Sequence, residues 1–379
     1  MLWGWCVVLK GLLIVAAFAA AAGSAGCSNR PAQGVLIPMK EQVAGTAQVP
    51  ILVATTRKKS IEDPGEMFGG DRADAMSYAA ITVSIPPDAD RKIGHVQWPD
   101  ALPGDPKRNF MTVSADYIDH KAFAASIAAT ARKTGHPRVL IFVHGFNNRF
   151  DAAVYRFAQI AHDSKAEAVP VLFTWPSRGD VRLRSYTYDR ESANYSRDAL
   201  EELIDQIAAY PHVKEISIVA HSMGNWVTLE ALRGRSLRRV ARNGNDKVKQ
   251  AMLVAPDVDV DVFRATIKRM GPNRPKMLLF ASQDDGALSL SKEIWGGVDR
   301  IGEVAATEPY RTQLEGDRIA VFDLTPLKTA GGSAHSRAFD DITQVLAMVR
   351  ERNAQQGTQV ARGAPRVAPA PIETVALRE

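Results

Sequence analysis

The sequence predicts an α/β protein in which a mostly parallel central sheet is flanked by helices on both faces. The first observation behind this is an alternation, from about residue 135 onward, of short runs rich in Val, Ile and Leu with amphipathic stretches of helical period. The second is composition: 46% of the 379 residues are apolar and 23% are charged, which is typical of a protein with a sizeable buried core. The third is the short connection between the predicted strands at 249–255 and 276–281, which leaves no room there for a large lid domain.

Residues 1–27 have the layout of a secretory signal peptide. Lys10 precedes an apolar run over 11–22, which is too short to be a convincing membrane span. Small residues then lead to Cys27 in an arrangement that resembles a bacterial lipobox, although Ser24 stands where an aliphatic residue is usual. Ordinary cleavage near the Ala run and an uncleaved N-terminal anchor are the alternatives. The sequence thus predicts an exported lipoprotein of a bacterial cell envelope, lipidated at Cys27, anchored to a membrane and facing the periplasm.

Cysteine and charge usage narrow the class of protein further. Cleavage would remove Cys6 and leave Cys27 alone, so we expect no intramolecular disulfide and a fold that depends on its core. The net charge of +5 is mild, and we find no nucleic-acid signature. The densest basic stretch, over 233–249, is expected to be a solvated face or to contact an anionic membrane surface. Residues 28–48 contain Pro, Gly and polar residues and are predicted to tether the domain.

The folded domain is predicted to span 49–350, followed by a disordered tail over 351–379 that is rich in Ala, Pro, Gln and Arg. A loop is marked by Gly65, Gly69, Gly70 and Asp71. Strands are predicted at 50–56, 79–85, 110–113, 138–143, 169–174, 215–220, 249–255, 276–281 and 318–323. Helices are predicted at 120–134 and near 150–163, 190–209, 225–235, 258–270, 286–295 and after 336.

A strand, a sharp turn that holds Ser222 between small residues, and a helix follow one another over 215–232. This order is typical of the nucleophile elbow of a serine hydrolase. The tight turn forces strained backbone angles on the serine, so the residues two positions before and after it must be small. Gly224 meets that requirement, and Ala220 replaces the usual first Gly. A serine that simply caps a helix after a strand is the alternative.

A serine hydroxyl becomes a nucleophile when an imidazole takes its proton and a carboxylate orients that imidazole. His335 is the one histidine of eight that follows Ser222, and it lies in a Gly- and Ser-rich loop beyond the last predicted strand. Asp284 and Asp285 follow an earlier strand and precede a helix. We expect one of these carboxylates to cap that helix and the other to face His335. Asp285 is favoured as the acid, with Asp284 as the alternative and Asp257 as a weaker one.

Backbone amides are expected to stabilise the negative charge that develops on the attacked carbonyl oxygen. One donor is the amide of Met223, directly after the nucleophile. The other is the amide of Phe146, in the turn that follows the strand at 138–143. His144 precedes the nucleophile along the chain and His221 lies in the elbow, so both are interpreted as supporting residues.

Five short motifs stand out between residues 48 and 350: Ala54-Thr55-Thr56-Arg57, His144-Gly145-Phe146-Asn147, Phe173-Thr174-Trp175-Pro176-Ser177, Ala220-His221-Ser222-Met223-Gly224 and Ala281-Ser282-Gln283-Asp284-Asp285-Gly286-Ala287-Leu288. With them the chain resembles the α/β-hydrolase superfamily, and more narrowly a bacterial esterase/lipase-like branch first catalogued as a domain of unknown function. The resemblance implies a Ser–Asp–His hydrolase without metal or organic cofactor. It also favours Asp285, because an Asp shortly before an Ala-Leu pair is the natural match. It does not identify a substrate.

The sequence therefore predicts a serine hydrolase that cleaves carboxylic esters of a small-molecule or lipid-like substrate through an acyl-enzyme. An amidase or thioesterase would use the same machinery, because the sequence does not specify the leaving group. A non-catalytic cell-envelope interaction protein is the alternative from another class. Six residues are expected either to line the substrate pocket or to pack in the core and loops: Trp175, Pro176, Ser177, Tyr186, Tyr188 and Trp226.

Overall fold

A computed structural model of the protein describes residues 34–39, 43–63, 65–238, 246–327 and 332–361. Residues 1–27, with the predicted signal peptide and Cys27, lie outside this part of the chain. Nine strands form one sheet: β1 (Ala47–Lys59), β2 (Phe68–Ile85), β3 (Met111–Ile118), β4 (Arg138–Val143), β5 (Val169–Thr174), β6 (Glu215–His221), β7 (Val248–Val254), β8 (Lys276–Ala281) and β9 (Ile319–Asp323).

The strands lie in the order β3-β2-β1-β5-β4-β6-β7-β8-β9. All pairings from β1 to β9 in this order are parallel, whereas β2 and β3 add an antiparallel edge. The predicted mostly parallel sheet is confirmed. The helices between and after the strands are α1 (His120–Thr134), α2 (Phe150–Asp163), α3 (Leu183–Tyr195), α4 (Arg197–Ala209), α5 (Gly224–Leu237), α6 (Val260–Met270), α7 (Gly286–Ile294), α8 (Ile301–Val304), α9 (Tyr310–Gly316), α10 (Arg337–Asp340) and α11 (Ile342–Ala361).

Alternate residues of the central strands pack into two separate cores, one on each face of the sheet. In β4, for example, Ile141 belongs to the core on the side of α1 and α4 to α6, whereas Phe142 belongs to the other core and contacts Phe157 of α2 and Phe339 of α10. Short connections and small helices join the later strands, and no large lid domain is inserted. Among the described residues, no helix combines the length and apolar character that a membrane crossing requires.

Two local predictions are corrected by the structure. The predicted helix at 190–209 is two helices, because the buried hydroxyl of Ser196 donates to the carbonyl of Ser192 and also contacts Thr56, which bends the chain between α3 and α4. The predicted loop around Gly69 belongs instead to β2. Two register shifts between β1 and β2 let the glycine-rich stretch continue the pairing as far as Lys59.

The ends of the folded domain also differ from prediction. Val35 and Leu36, within the predicted tether, are buried, and the carbonyl of Val35 accepts hydrogen bonds from Thr112 and Tyr155. The last helix continues to Ala361, so the first part of the predicted tail is helical. Residues 362–379 lie outside the described part of the chain.

The basic stretch after the elbow is largely neutralised by acidic neighbours. Arg235 is buried and pairs with Asp205 and Asp246 at 2.5 and 2.8 Å, and Arg238 pairs with Asp205 and Glu201. Arg239 and Arg242, from the middle of this stretch, lie outside the described residues, and the two interpretations of the stretch stay predictions.

Candidate active site

Ser222 occupies a strained turn between β6 and α5. Its φ is +50°, in the left-handed region that a residue with a side chain rarely adopts. The surrounding structure holds this conformation. The amide of Ser222 donates to the carbonyl of Val254 at 2.9 Å, and its own carbonyl accepts from the amide and the side chain of Asn225, both at 3.0 Å. This is the backbone geometry that a nucleophile elbow requires.

Two glycines allow the turn after β4 to pack directly on the elbow. A Cβ at Gly224 would lie 2.4 Å from the carbonyl oxygen of His144, and a Cβ at Gly145 would lie 2.8 Å from the Cβ of Ser222. Any side chain at either position would force the two turns apart. Ala220 is fully buried and pairs regularly with the neighbouring strands, so its methyl group is accommodated.

Asp285 and His335 are joined by a hydrogen bond. His335 Nδ1 lies 2.8 Å from Oδ2 of Asp285, while Oδ1 of the same carboxylate accepts from the amides of Ala287 and Leu288 at 3.1 and 3.2 Å and caps α7. From the sequence, we expected two neighbouring aspartates to share these two tasks. In the structure one fully buried carboxylate performs both.

Asp284 is held by a different partner. Its two oxygens accept from the two terminal nitrogens of Arg337, both at 2.7 Å, and Ser282 also donates to it. The hydrogen bonds from Arg337 lower the pKa of Asp284 to about 2. Because this carboxylate is engaged with a guanidinium, Asp285 is the one that contacts His335.

The imidazole of His335 is oriented for proton transfer at its other nitrogen. A carboxylate can only accept, so Nδ1 carries the hydrogen and Nε2 is left as an acceptor. Among the described residues, the hydroxyl of Ser222 makes no hydrogen bond to His335. The structure thus joins Asp285 to His335 and does not join His335 to Ser222. Hydrogen bonds of this kind often tighten only when substrate is bound.

His221 links the elbow to the loop that carries His335. Its ring centroid is 4.8 Å from that of His335, and its Nε2–H donates to the backbone carbonyl of His335 at 2.9 Å. Burial, reinforced by the charge of His335, lowers the pKa of His221 to about 3, so it is neutral at physiological pH. It acts as a fixed donor that keeps the loop beside Ser222.

The amides of Phe146 and Met223 have no acceptor within the described part of the protein. The amide of Met223 precedes the first turn of α5, where helix N–H groups concentrate positive potential. Phe146 lies in a closed turn: the side-chain amide of Asn148 donates to the carbonyls of Gly145 and Phe146, and Asn147 adopts a φ of +57°. Both amides are available to a ligand oxygen.

A buried arginine fastens this turn from behind. The guanidinium of Arg57 donates to the carbonyls of Asn148 and Ser177 at 2.7 and 2.8 Å, and to the hydroxyl of Thr174 at 2.8 Å. It also reaches the carbonyl of Gly69. Burial lowers the pKa of Arg57 to about 10, which leaves it charged at neutral pH. One side chain from β1 therefore ties together the loops that follow β4 and β5 and the first residues of β2.

The opposite charge is supplied by Asp189, which is also fully buried. Its carboxylate accepts from the hydroxyl of Ser177 at 2.5 Å, from the amide of Arg178 at 2.9 Å and from the amide of Asn147 at 3.4 Å. Burial raises the pKa of Asp189, while Ser177 and the positive charge of Arg57 oppose that rise. Ser177 thus connects the two buried charges.

His144 and Trp175 complete the support of the turn. Nε2 of His144 accepts from the amide of Trp175 at 3.2 Å, the indole N–H donates to the carbonyl of His144 at 2.8 Å, and the two rings stack at 4.9 Å. Burial and the neighbouring Arg57 hold the pKa of His144 well below its usual value. Trp175 is fully buried, so it packs behind the site and does not line a substrate pocket.

Replacing Arg57 with Met is expected to lower the free energy of unfolding by about 3 kcal/mol or more, because three backbone carbonyls lose their donor and Asp189 stays buried without its counter-charge. Chemical denaturation would measure this change in the free energy of unfolding. Arg138→Met is the matched control, since Arg138 forms an exposed pair with Glu215 that is expected to contribute less than about 1 kcal/mol. Equal losses in the two variants would contradict the structural role assigned to Arg57.

A second buried network of hydrogen bonds surrounds Asp257, in the loop that follows β7. The carboxylate of Asp257 accepts from the hydroxyls of Tyr186 and Ser291 at 2.8 and 2.6 Å and pairs with Arg300 at 3.2 Å. Asp257 is the weaker of the predicted acid candidates, and these partners engage it, whereas His335 hydrogen-bonds to Asp285. No local sequence signal identifies this network, since its members come from four separate segments.

One set of described residues has metal-ligating atoms close together: Asp88, His162 and Asp163. Arg91 donates to both carboxylates and supplies the positive charge there itself. The group is far along the chain from the elbow and the arginine accounts for its arrangement. It carries no implication of a metal.

Fold and site together define the class of the protein. A parallel sheet, a strained serine between β6 and α5, and an Asp–His pair from the loops after β8 and β9 constitute an α/β-hydrolase fold. The chain belongs to the family of alpha/beta hydrolases of unknown function (DUF900), whose profile matches residues 119–352, more than half of the chain.

Solved structures that match include a lipase-esterase related protein from Clostridium acetobutylicum ATCC 824, with 12% identity and a TM-score of 0.30 over 57% of this chain and 94% of that one. An esterase from Pyrobaculum calidifontis matches with 12% identity and a TM-score of 0.27, over 64% of this chain and 93% of its own. Among curated proteins, none matches the chain significantly.

Proposed function

We propose that the protein is a serine hydrolase of the bacterial cell envelope that cleaves carboxylic esters through an acyl-enzyme. In this proposal Ser222 is the nucleophile, His335 the general base and Asp285 the acid that orients it. The observation that carries the proposal is the hydrogen-bonded pair of Asp285 and His335, whose loop is bonded to His221, the residue directly before a serine with a φ of +50°. A structural serine has no need of such strain.

The chemistry follows from the positions of these groups. Ser222 Oγ attacks the ester carbonyl carbon while Nε2 of His335 takes its proton. The amides of Phe146 and Met223 donate to the oxyanion as the tetrahedral intermediate forms. His335 then gives the proton to the departing alkoxide, which leaves the acyl group on Ser222. Water, deprotonated by His335, attacks that acyl group and releases the carboxylic acid and the free serine.

A series of p-nitrophenyl esters of increasing acyl length tests the proposal. We expect a burst of p-nitrophenol equal to the enzyme concentration, followed by slower turnover as the acyl-enzyme hydrolyses. Matched p-nitroanilides and thioesters run in parallel distinguish an amidase or thioesterase with the same machinery. Release that never exceeds the buffer blank for any of these substrates would count against catalysis.

The pH dependence of kcat/KM is expected to follow the ionisation of His335. Burial alone would lower the pKa of His335, but the negative charge and hydrogen bond of Asp285, with the charge of Asp257, raise it above its ordinary value. The base must be neutral to accept a proton, so kcat/KM should rise with pH and be lost as the pH falls through this raised pKa. Asp285→Asn should move that acidic limb to lower pH, because it removes the charge that favours the imidazolium. A limb that stays in place would contradict this assignment.

The location at the cell envelope is supported by the sequence alone. The evidence for this location is the apolar run over 11–22 and the small residues that precede Cys27. In this proposal a lipid on Cys27 anchors the domain to the membrane, and the substrate is a small-molecule or lipid-like ester that reaches it there.

A further inference from the structure

An arginine without an acidic partner lies on one wall of the site. The guanidinium of Arg190, on α3, lies over the ring of Trp295 at 4.2 Å and over the ring of Trp226 at 5.1 Å from the centroids. The side chain is only partly exposed, and within the described part of the chain it forms no ion pair. Most buried or half-buried arginines of this protein are paired with a carboxylate or with carbonyls, so Arg190 is unusual.

Trp226 lies on helix α5, which begins two residues after Ser222, and Trp295 directly follows helix α7, which Asp285 caps. Within α5, Trp226 lies in the first turn. The charge of Arg190 is therefore held between the first turn of α5 and the C-terminal end of α7.

The same face of α3 reaches the oxyanion turn. Tyr186 precedes Arg190 by four residues, and so by about one helical turn. Its ring meets that of Phe146 edge-on at 5.1 Å, and the indole N–H of Trp295 donates to its hydroxyl at 3.1 Å. Phe146, Tyr186, Trp295 and Arg190 thus form a continuous wall that begins at the oxyanion donor.

Within the described part of the chain, no carboxylate forms an ion pair with Arg190 on this wall. Asp257, the carboxylate bonded to Tyr186, is already neutralised by the buried Arg300. The indole N–H of Trp226 is buried and has no acceptor among the described residues, so no protein carboxylate serves this part of the wall. The rings hold the guanidinium through its charge and leave its N–H donors available.

We propose that Arg190 binds a carboxylate or phosphate group of the substrate, so that the enzyme prefers esters that carry a negative charge. The inference rests on the proposed ester hydrolysis and deepens it. A guanidinium presents a fork of N–H donors that matches the two oxygens of such groups. Its place on the wall next to Phe146 positions the anion while the ester carbonyl meets Ser222.

A pair of esters of equal acyl length tests this. One is p-nitrophenyl hexanoate, and the other is the mono-p-nitrophenyl ester of adipic acid, which adds a terminal carboxylate. Arg190→Met, which removes the charge and keeps an apolar chain between the rings, should lower kcat/KM for the anionic ester about 10- to 100-fold, the loss typical of one charged hydrogen bond. The neutral ester should change by less than about twofold, because it offers Arg190 no charged group to bind. Arg190→Lys keeps the charge and should lose less than Arg190→Met.

Phosphate on the alcohol side of the ester forms the second arm. A 1-acyl-sn-glycerol 3-phosphate is compared with the monoacylglycerol of the same acyl chain. A loss confined to the phosphorylated ester would identify a phosphate-bearing alcohol as the recognised group, and a loss confined to the adipate ester would identify an anionic acyl chain.

Arg72→Met is the matched control. Arg72 also lies over two rings, Tyr188 and Tyr195, at 4.6 and 5.7 Å, but its donors are engaged by Ser192 and the carbonyl of Tyr188. This variant should leave the ratio of anionic to neutral kcat/KM unchanged. The inference is overturned if Arg190→Met loses activity equally on the charged and neutral members of each ester pair, or loses activity on none of the four esters.

A binding measurement separates this inference from the proposed reaction. If the wild-type protein hydrolyses no ester, the proposed function fails, and titration calorimetry with adipate and with glycerol 3-phosphate tests the subsite alone. One of these anions should bind the wild-type and Arg72→Met proteins at least about tenfold more tightly than Arg190→Met. Equal affinity in all three would overturn the subsite.

Discussion

Ser222→Ala is expected to lower kcat for ester hydrolysis by about 10⁵-fold or more, the scale of loss when a triad nucleophile is removed. Alanine lacks the oxygen that attacks the carbonyl, whereas the strained turn and the amides of Phe146 and Met223 remain. Because Ala and Ser both carry a Cβ, the backbone at φ +50° is equally strained in the two proteins. Stability should therefore change little, and steady-state kinetics with a p-nitrophenyl ester measures the loss.

Ser217→Ala is the matched control for this variant. Ser217 lies in the same strand, five positions earlier, and its hydroxyl accepts from the side chain of Gln250 away from the elbow. It should retain kcat within about twofold, as substitutions away from such features usually do. Comparable activity of Ser222→Ala and the wild-type protein would remove Ser222 from the mechanism.

Asp285→Asn is expected to lower kcat about 10⁴-fold, the loss seen when the acid of a triad becomes an amide. The asparagine oxygen can still accept from the amides of Ala287 and Leu288, so the cap of α7 should persist. Its NH₂ group would then face Nδ1 of His335 and move the ring hydrogen to Nε2. The imidazole could no longer accept the proton of Ser222, so activity should fall far more than stability.

Asp284→Asn is the control one residue away. It weakens the pair with Arg337 on a half-exposed carboxylate, and we expect less than about a tenfold loss of kcat, because His335 keeps its partner. Kinetics and thermal melts of the two variants are compared side by side. A larger loss in Asp284→Asn than in Asp285→Asn would reverse the choice of acid.

Much of this site was predictable because its signals are local. The strand, the small residues around Ser222 and the helix after it lie within one continuous segment, and His335 stands alone downstream. The parallel sheet was predictable for the same reason, since each strand is a continuous apolar run buried on both faces. The double role of Asp285 was not predicted. Its two carboxylate oxygens serve different partners, one the amides that begin α7 and the other His335, and the sequence does not show how one side chain divides its oxygens.

The supporting networks could not be read from the sequence. Arg57 lies in a motif that looks distinctive, but its partners on Gly69, Asn148 and Ser177 are backbone carbonyls, which have no signature in sequence. Asp189 resembles any polar residue of an amphipathic helix until the fold buries it. The break between α3 and α4 also depends on tertiary contacts, because the hydroxyl of Ser196 is buried against Thr56 and Ser192 in the fold.

Reaction with a fluorophosphonate shows whether Ser222 is an activated nucleophile, because this reagent forms a stable covalent adduct only with an activated serine. The folded wild-type protein is expected to gain the mass of one adduct, located on the peptide that contains Ser222. Heat-denatured protein and the Ser222→Ala variant should gain none. No adduct on the folded protein, or an adduct on another residue that persists in Ser222→Ala, would contradict the assignment of Ser222 as the nucleophile.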